Sequence, residues 1–255
     1  TQVCSGQVRQ SVQLLPRRPA GDDRPEETAL AYYLGLETEL GEGHVAGKPP
    51  LWPTVGEASE AGAVERGTLT TTLIKARERW LKNPAFTELR LLIESLLASQ
   101  GSVMTTDEIA LAILSMRGCA SQDDAERMRL SMAVLRAAVE AESHLDQPRF
   151  EGFDHQPTPL IAVSRPWADY ATQLGIAADA CALADPLLPP SRALEALQAV
   201  PLPVALQPTG AGVAVITSPV PATRLLRIAT SASRRAALSS RQERASRWRC
   251  RARAT

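Results

Sequence analysis

Aromatic residues make up only 4% of this 255-residue chain, so any core must be assembled from Leu, Ala, Val and Ile. Histidine is equally scarce. His44, His144 and His155 have no cysteine or carboxylate at ligand spacing, which argues against a metal centre. The cysteines, Cys4, Cys119, Cys181 and Cys250, stand far apart. They suit a reduced cytosol better than a disulfide framework, so the expected location is cytoplasmic. A run of about 20 apolar residues is missing, which excludes a membrane-spanning helix of ordinary length. The opening residues lack the charged-then-apolar pattern of a secretion signal. The chain begins at Thr1 rather than Met, so it is open to being a piece of something longer.

Catalytic signatures are missing too. The loop GEGHVAGK, 41–48, has Glu42 where a phosphate-binding loop needs its first glycine, and Pro49 where it needs a hydroxyl for magnesium. There is no G-x-S-x-G elbow, no Gly-rich strand loop, no H-R-D and no D-F-G. Nothing in these residues supports catalysis, a cofactor or a metal, and the expectation is a noncatalytic chain.

What is present is a chain with 44% hydrophobic residues, long enough for one or two domains with their own cores. Its 19 prolines cluster and divide it into short helical pieces. The formal net charge of zero hides an asymmetry: from Arg224 onward there are ten arginines and one acid, Glu243. The preceding part is therefore acidic, with 18 basic residues against 27 acidic ones. An acidic body with a basic tail is not a uniformly basic nucleic-acid binder.

The spacing predicts an extended linker over 1–26 and a mainly α chain thereafter. ETALAYYLGLE, 27–37, has apolar residues at helical intervals. Thr54 and Glu57 form a T-x-x-E capping box opening a helix to about Ala61. Gly62 and Ala63 turn the chain, and a longer helix runs from Arg66 to about Leu81, stopped by Asn83-Pro84. Residues 27–84 thus read as a helix-turn-helix unit. Residues 85–165 read as a winged-helix-like unit, three helices followed by a hairpin. Its helices are 86–101, with Leu89, Leu92, Ile93, Leu96 and Leu97 on one face, then 103–118 and 120–142. Its strands are RFEGF, 149–153, and PLIAVS, 159–164. Residues 166–222 give two further helices and a Pro-rich segment. Residues 223–255 give a basic helix, 223–243, and a tail.

The stretch 54–80, with Lys82 just beyond it, carries the functional expectation. In a helix-turn-helix the second helix offers its N-terminal side chains to base edges. Arg66, Thr68, Thr70 and Thr71 sit where such contacts would come from, while Lys75, Arg77, Arg79 and Lys82 lie where phosphates would be met. Leu69, Leu73, Ala76 and Trp80 form the expected buried stripe. The plain alternative is a helical hairpin whose cations are merely solvated.

TLTTTLIKARERWLKNPAFTELR, 68–90, resembles the helix-turn-helix that follows the catalytic domain in the phage growth limitation serine/threonine kinases, the PglW-like proteins of BREX-type phage defence. It also resembles a generic sigma-factor region 4 reader. LLIESLLASQGSVMTTDEIALAILSMRG, AERMRLSMAVLRAAVEAE and the helices beyond continue the likeness over roughly 27–243. The resemblance implies a DNA-binding or regulatory region, with double-stranded DNA and other phage-defence proteins as partners and a kinase domain upstream of Thr1. An alternative is a protein-interaction module that docks defence partners or regulates the kinase domain. Two departures stand out. The family pattern favours an apolar residue then Gly before Val64, whereas this chain has Gly62 then Ala63, so Ala63 must take the turn geometry that glycine would have taken. Past Glu243, RASRWRCRARAT reads as an out-of-frame or truncated end.

Overall fold

A computed structural model describes residues 25–36, 52–119, 121–154, 158–184 and 189–202. The loop 41–48 and the basic segment 223–255 lie outside the described residues. The described part is mainly helical. Its elements run α1 (Pro25–Tyr33), α2 (Val55–Ala61), α3 (Arg66–Lys82), α4 (Pro84–Gln100), β1 (Val103–Thr105), α5 (Thr106–Arg117), α6 (Asp124–Glu142), β2 (Glu151–Phe153), β3 (Leu160–Ala162), α7 (Arg165–Ala184) and α8 (Pro190–Gln198). The strands form one sheet in the order β1-β3-β2. The chain divides into two compact units. One takes residues up to Ser99 together with Met104–Gly152, and the other takes Gln100–Val103 with the residues from Phe153 onward.

Local chemistry explains most of the boundaries. α1 begins at Pro25, two residues before the expected start, because proline is already set to helical φ and lacks the N–H that a first turn leaves orphaned. Leu36 N–H reaches Ala31 O and Gly35 N–H reaches Tyr32 O, with Gly35 at φ 76°, a Schellman ending. Thr54 and Glu57 cap α2 reciprocally, as the T-x-x-E spacing predicts. Asn83 ends α3, and its side chain accepts from Ala85 N–H at 2.9 Å to open α4 at once. The expected helix over 103–118 is instead β1 followed by α5. Thr105 is the last strand residue and also the N-cap, locked with Glu108 in a second capping box. Val163 N–H donates to Ser102 O at 3.0 Å, so this short edge is paired with the later strand rather than with a helix.

In the first unit the core comprises Leu30, Leu69, Trp80, Phe86, Leu89, Ile93, Leu97, Ile109, Ile113, Leu135 and Phe150, each fully buried. The Trp80 and Phe86 rings pack 6.0 Å apart across the α3–α4 junction. α6 is unusual. Every residue from Ser131 to Glu142 is buried, so its C-terminal half is enclosed on all sides. The second unit has two smaller clusters. Val103, Leu160, Ala162, Ala168 and Ala171 pack with Phe153 and Trp167. Leu174, Ala178 and Leu197 join α7 to α8.

Candidate nucleic-acid interface

α1, α2 and α3 pack on one another, and the turn between α2 and α3 sets their angle. Val64 N–H donates to Ser59 O at 3.0 Å and Ala63 N–H to Glu60 O at 3.2 Å, the same Schellman pattern that ends α1. Here the left-handed position is Ala63, at φ 50°, which costs about 1–2 kcal/mol relative to glycine. Glycine is needed one residue earlier for another reason. A Cβ on Gly62 would lie 2.5 Å from Ala29 Cβ and 2.9 Å from Ala29 Cα, so the bare backbone is what lets α1 approach. The sequence therefore spends its glycine on helix packing and leaves the strained φ to alanine.

α3 buries Leu69, Leu73, Ala76 and Trp80, the expected stripe, and leaves the opposite side in solvent. The candidate residues separate into two lines along it. Thr68, Thr71, Lys75, Arg79 and Lys82 recur at three- and four-residue steps, so they share one face, and all are exposed. That strip extends about 21 Å at 1.5 Å per residue. Exposed Glu78 flanks it. Arg66, Thr70, Ile74 and Arg77 form the second line, on the other flank of the buried stripe.

The two arginines of that second line are drawn toward neighbouring helices. Arg66 is exposed, but its guanidinium folds back toward α2: a Cβ on Gly56 would lie 2.5 Å from Nη2. Arg77 is half-buried and donates through Nε at 3.0 Å and through Nη2 to Glu140 Oε2 on α6. The hydroxyls of Thr70, Thr71 and Thr72 donate to carbonyls one turn back, Arg66 O, Gly67 O and Thr68 O, at 2.8, 3.0 and 3.0 Å. Each retains lone pairs to accept with, and a rotamer change would free the proton.

Sequence reasoning missed the buried ionic network behind α3. Glu140 also accepts a hydrogen bond from the Tyr33 hydroxyl of α1 through Oε1. Arg136, one turn earlier on α6, stacks 3.7 Å above the Tyr33 ring and 4.7 Å from that of Trp52, and donates to Pro53 O at the entry to α2. Burial pushes the Tyr33 hydroxyl above its usual range, opposed by the Arg136 charge and reinforced by Glu140. Burial likewise lowers Arg136 from the usual arginine range. A second cluster centres on Glu142, which is fully buried and accepts from Arg90 Nη1 at 3.0 Å and Arg149 Nη2 at 2.7 Å, while Arg149 also reaches Glu94 at 2.9 Å. The one available signal was arginine and glutamate placed inside an otherwise apolar helical run, 131–142.

Among the described residues no group of three or more His, Cys, Asp or Glu could hold a metal ion. No described helix is long and apolar enough to cross a membrane.

Comparison with known proteins gives one informative likeness. The chain is 32% identical over 175 residues to the protein named Probable kinase PglW from Streptomyces coelicolor, covering 60% of this chain but 11% of that protein. The chain therefore spans about a tenth of the length of the curated relative it matches. That similarity supports a PglW-like relationship. No family model matches, and no solved structure does.

Proposed function

We propose that this region is a noncatalytic DNA-binding and regulatory part of a PglW-like serine/threonine kinase of phage defence, and that α3 is its reading helix. One observation carries the reading: Thr68, Thr71, Lys75, Arg79 and Lys82 form a single exposed strip on the second helix of a tightly turned α2–α3 pair. Threonine hydroxyls suit base edges or phosphates, and the cations beyond them suit backbone phosphates. The order α4–β1–α5–α6–β2–β3 with sheet order β1-β3-β2 supports a winged-helix arrangement for the part that follows. The kinase activity belongs to the parent protein in this reading, and this region contributes placement on DNA.

The test is a duplex titration at several salt concentrations. With Lys75, Arg79 and Lys82 on phosphates, the slope of log K against log salt should be about −3, at about −0.9 per neutralised phosphate. The triple variant K75A/R79A/K82A should lose nearly all of that slope. Retention of no duplex at any salt concentration would remove the proposal.

A second reading, a module that docks defence partners or the kinase domain, draws on exposed Leu91 of α4 and Leu111 and Met116 of α5. Reversing Lys75 and Arg79 to glutamate separates the two, since it should abolish duplex binding and leave capture through α4 and α5 intact.

A further inference from the structure

Glu140 is buried at the C-terminal end of α6, yet its two oxygens serve two other helices. Oε1 accepts from Tyr33 on α1 and Oε2 from Arg77 on α3. Arg136 on the preceding turn holds Trp52 and Pro53 at the start of α2. One face of α6 thus engages α1, the entry to α2, and α3. The apolar stripe of α3 supplies burial, and the hydrophobic effect behind it is non-directional. Two guanidinium N–H groups converging on the one oxygen Oε2 form a charge-assisted contact that is directional. Arg77 stands on the flank of α3 away from the strip Thr68, Thr71, Lys75, Arg79 and Lys82, so anchoring the one flank fixes where the other points.

We infer that Glu140 is a positioning residue for the interface: it touches no ligand, and through Arg77 it sets the rotation of α3 that presents the strip. Its consequence for DNA rests on the reading proposed above; its hold on α3 does not. Arg77 is accordingly a positioning residue as well, rather than one of the phosphate contacts.

The experiment compares wild type, E140A, E140Q and the charge-swapped R77E/E140R in the full chain. It reads duplex affinity with its salt slope, and hydrogen exchange along α1, α3, α4 and α5. E140A should weaken duplex binding about tenfold, the loss expected if one molecule in ten holds α3 in the competent rotation. The salt slope should stay unchanged, because the strip keeps its cations. Exchange should quicken in α1 and α3 but not in α4 or α5. E140Q, which still accepts hydrogen bonds, should fall between, and the swap should recover binding beyond E140A. Melting lowered by E140A with affinity and α3 exchange unchanged would overturn the inference, leaving Glu140 a general stabiliser. An increase in salt slope of about one phosphate would overturn it as well, since Arg77 would then join the contacts once released. If wild type binds no duplex, the DNA reading fails and the exchange pattern alone decides whether Glu140 positions α3.

Discussion

α3 and α6 are both the last helix of a three-helix series, and the chain treats them in opposite ways. α3 buries only Leu69, Leu73, Ala76 and Trp80 and leaves a threonine and cation strip in water. α6 buries every residue from Ser131 to Glu142, and what it exposes at its start includes Asp123 and Asp124. In a winged-helix order the reader would be α6. Here its C-terminal half is occupied as a core element, with α1 and α3 docked on its charged side chains. A reading helix would offer its N-terminal half, and there α6 opens on exposed Asp123 and Asp124, whose charge opposes phosphates, where α3 exposes threonines and cations.

The sharpest way to break this contrast is at the enclosed helix. Glu142→Ala removes the carboxylate that pairs with Arg90, whose side chain is only 7% exposed. Removing one member of a buried pair should cost about 3–5 kcal/mol, read as a lower denaturation midpoint at unchanged m-value. Asp124→Ala, at the exposed end of the same helix, should fall within about 0.5 kcal/mol of wild type.

The α2–α3 turn gives smaller effects of opposite sign. Gly62→Ala should destabilise by about 1–3 kcal/mol, because its methyl would meet Ala29 of α1. Ala63→Gly should stabilise by about 1 kcal/mol, by relieving a left-handed alanine. Thermal melting of the two variants reports both signs. Equal destabilisation by both would show that the turn is not built as described.

The smallest effect concerns pH. Tyr33 titrates above its ordinary value of 10.0, so the folded chain holds that proton more tightly than the unfolded one. Its contribution is fully present below pH 10.0 and is lost as pH rises through the folded value. Tyr33→Phe should flatten the alkaline limb of a stability–pH profile and leave its neutral region with little pH dependence.

The legible parts of this fold were those encoded locally. Leu69, Leu73, Ala76 and Trp80 announced the inner face of α3 by spacing alone, and Thr54 with Glu57 marked the start of α2. The strands at 151–153 and 160–162 were readable from short β-favouring runs after a long helix. β1 was not. Three residues ending in a threonine that also caps α5 look like a helix start, and only pairing with a strand far along the chain makes them a strand. The buried network was equally hidden. Arg77 and Glu140 are 63 residues apart and Tyr33 and Glu140 are 107 apart, so the charges inside the apolar run 131–142 hint at burial but sequence does not show which residues they meet. For the candidate interface this mattered directly: eight residues were named from helical position, and the fold splits them into an exposed strip and a second line whose two arginines turn toward neighbouring helices. That split depends on which helices pack behind α3, which spacing does not encode.

Photo-crosslinking of a bound duplex carrying a reactive group at its phosphates, followed by peptide mapping, tests the contrast between the two helices most directly. The crosslinks should fall within residues 66–82, concentrated at Lys75, Arg79 and Lys82. Crosslinks concentrated in α6, or none in α3 under conditions where duplex is retained, would contradict the account.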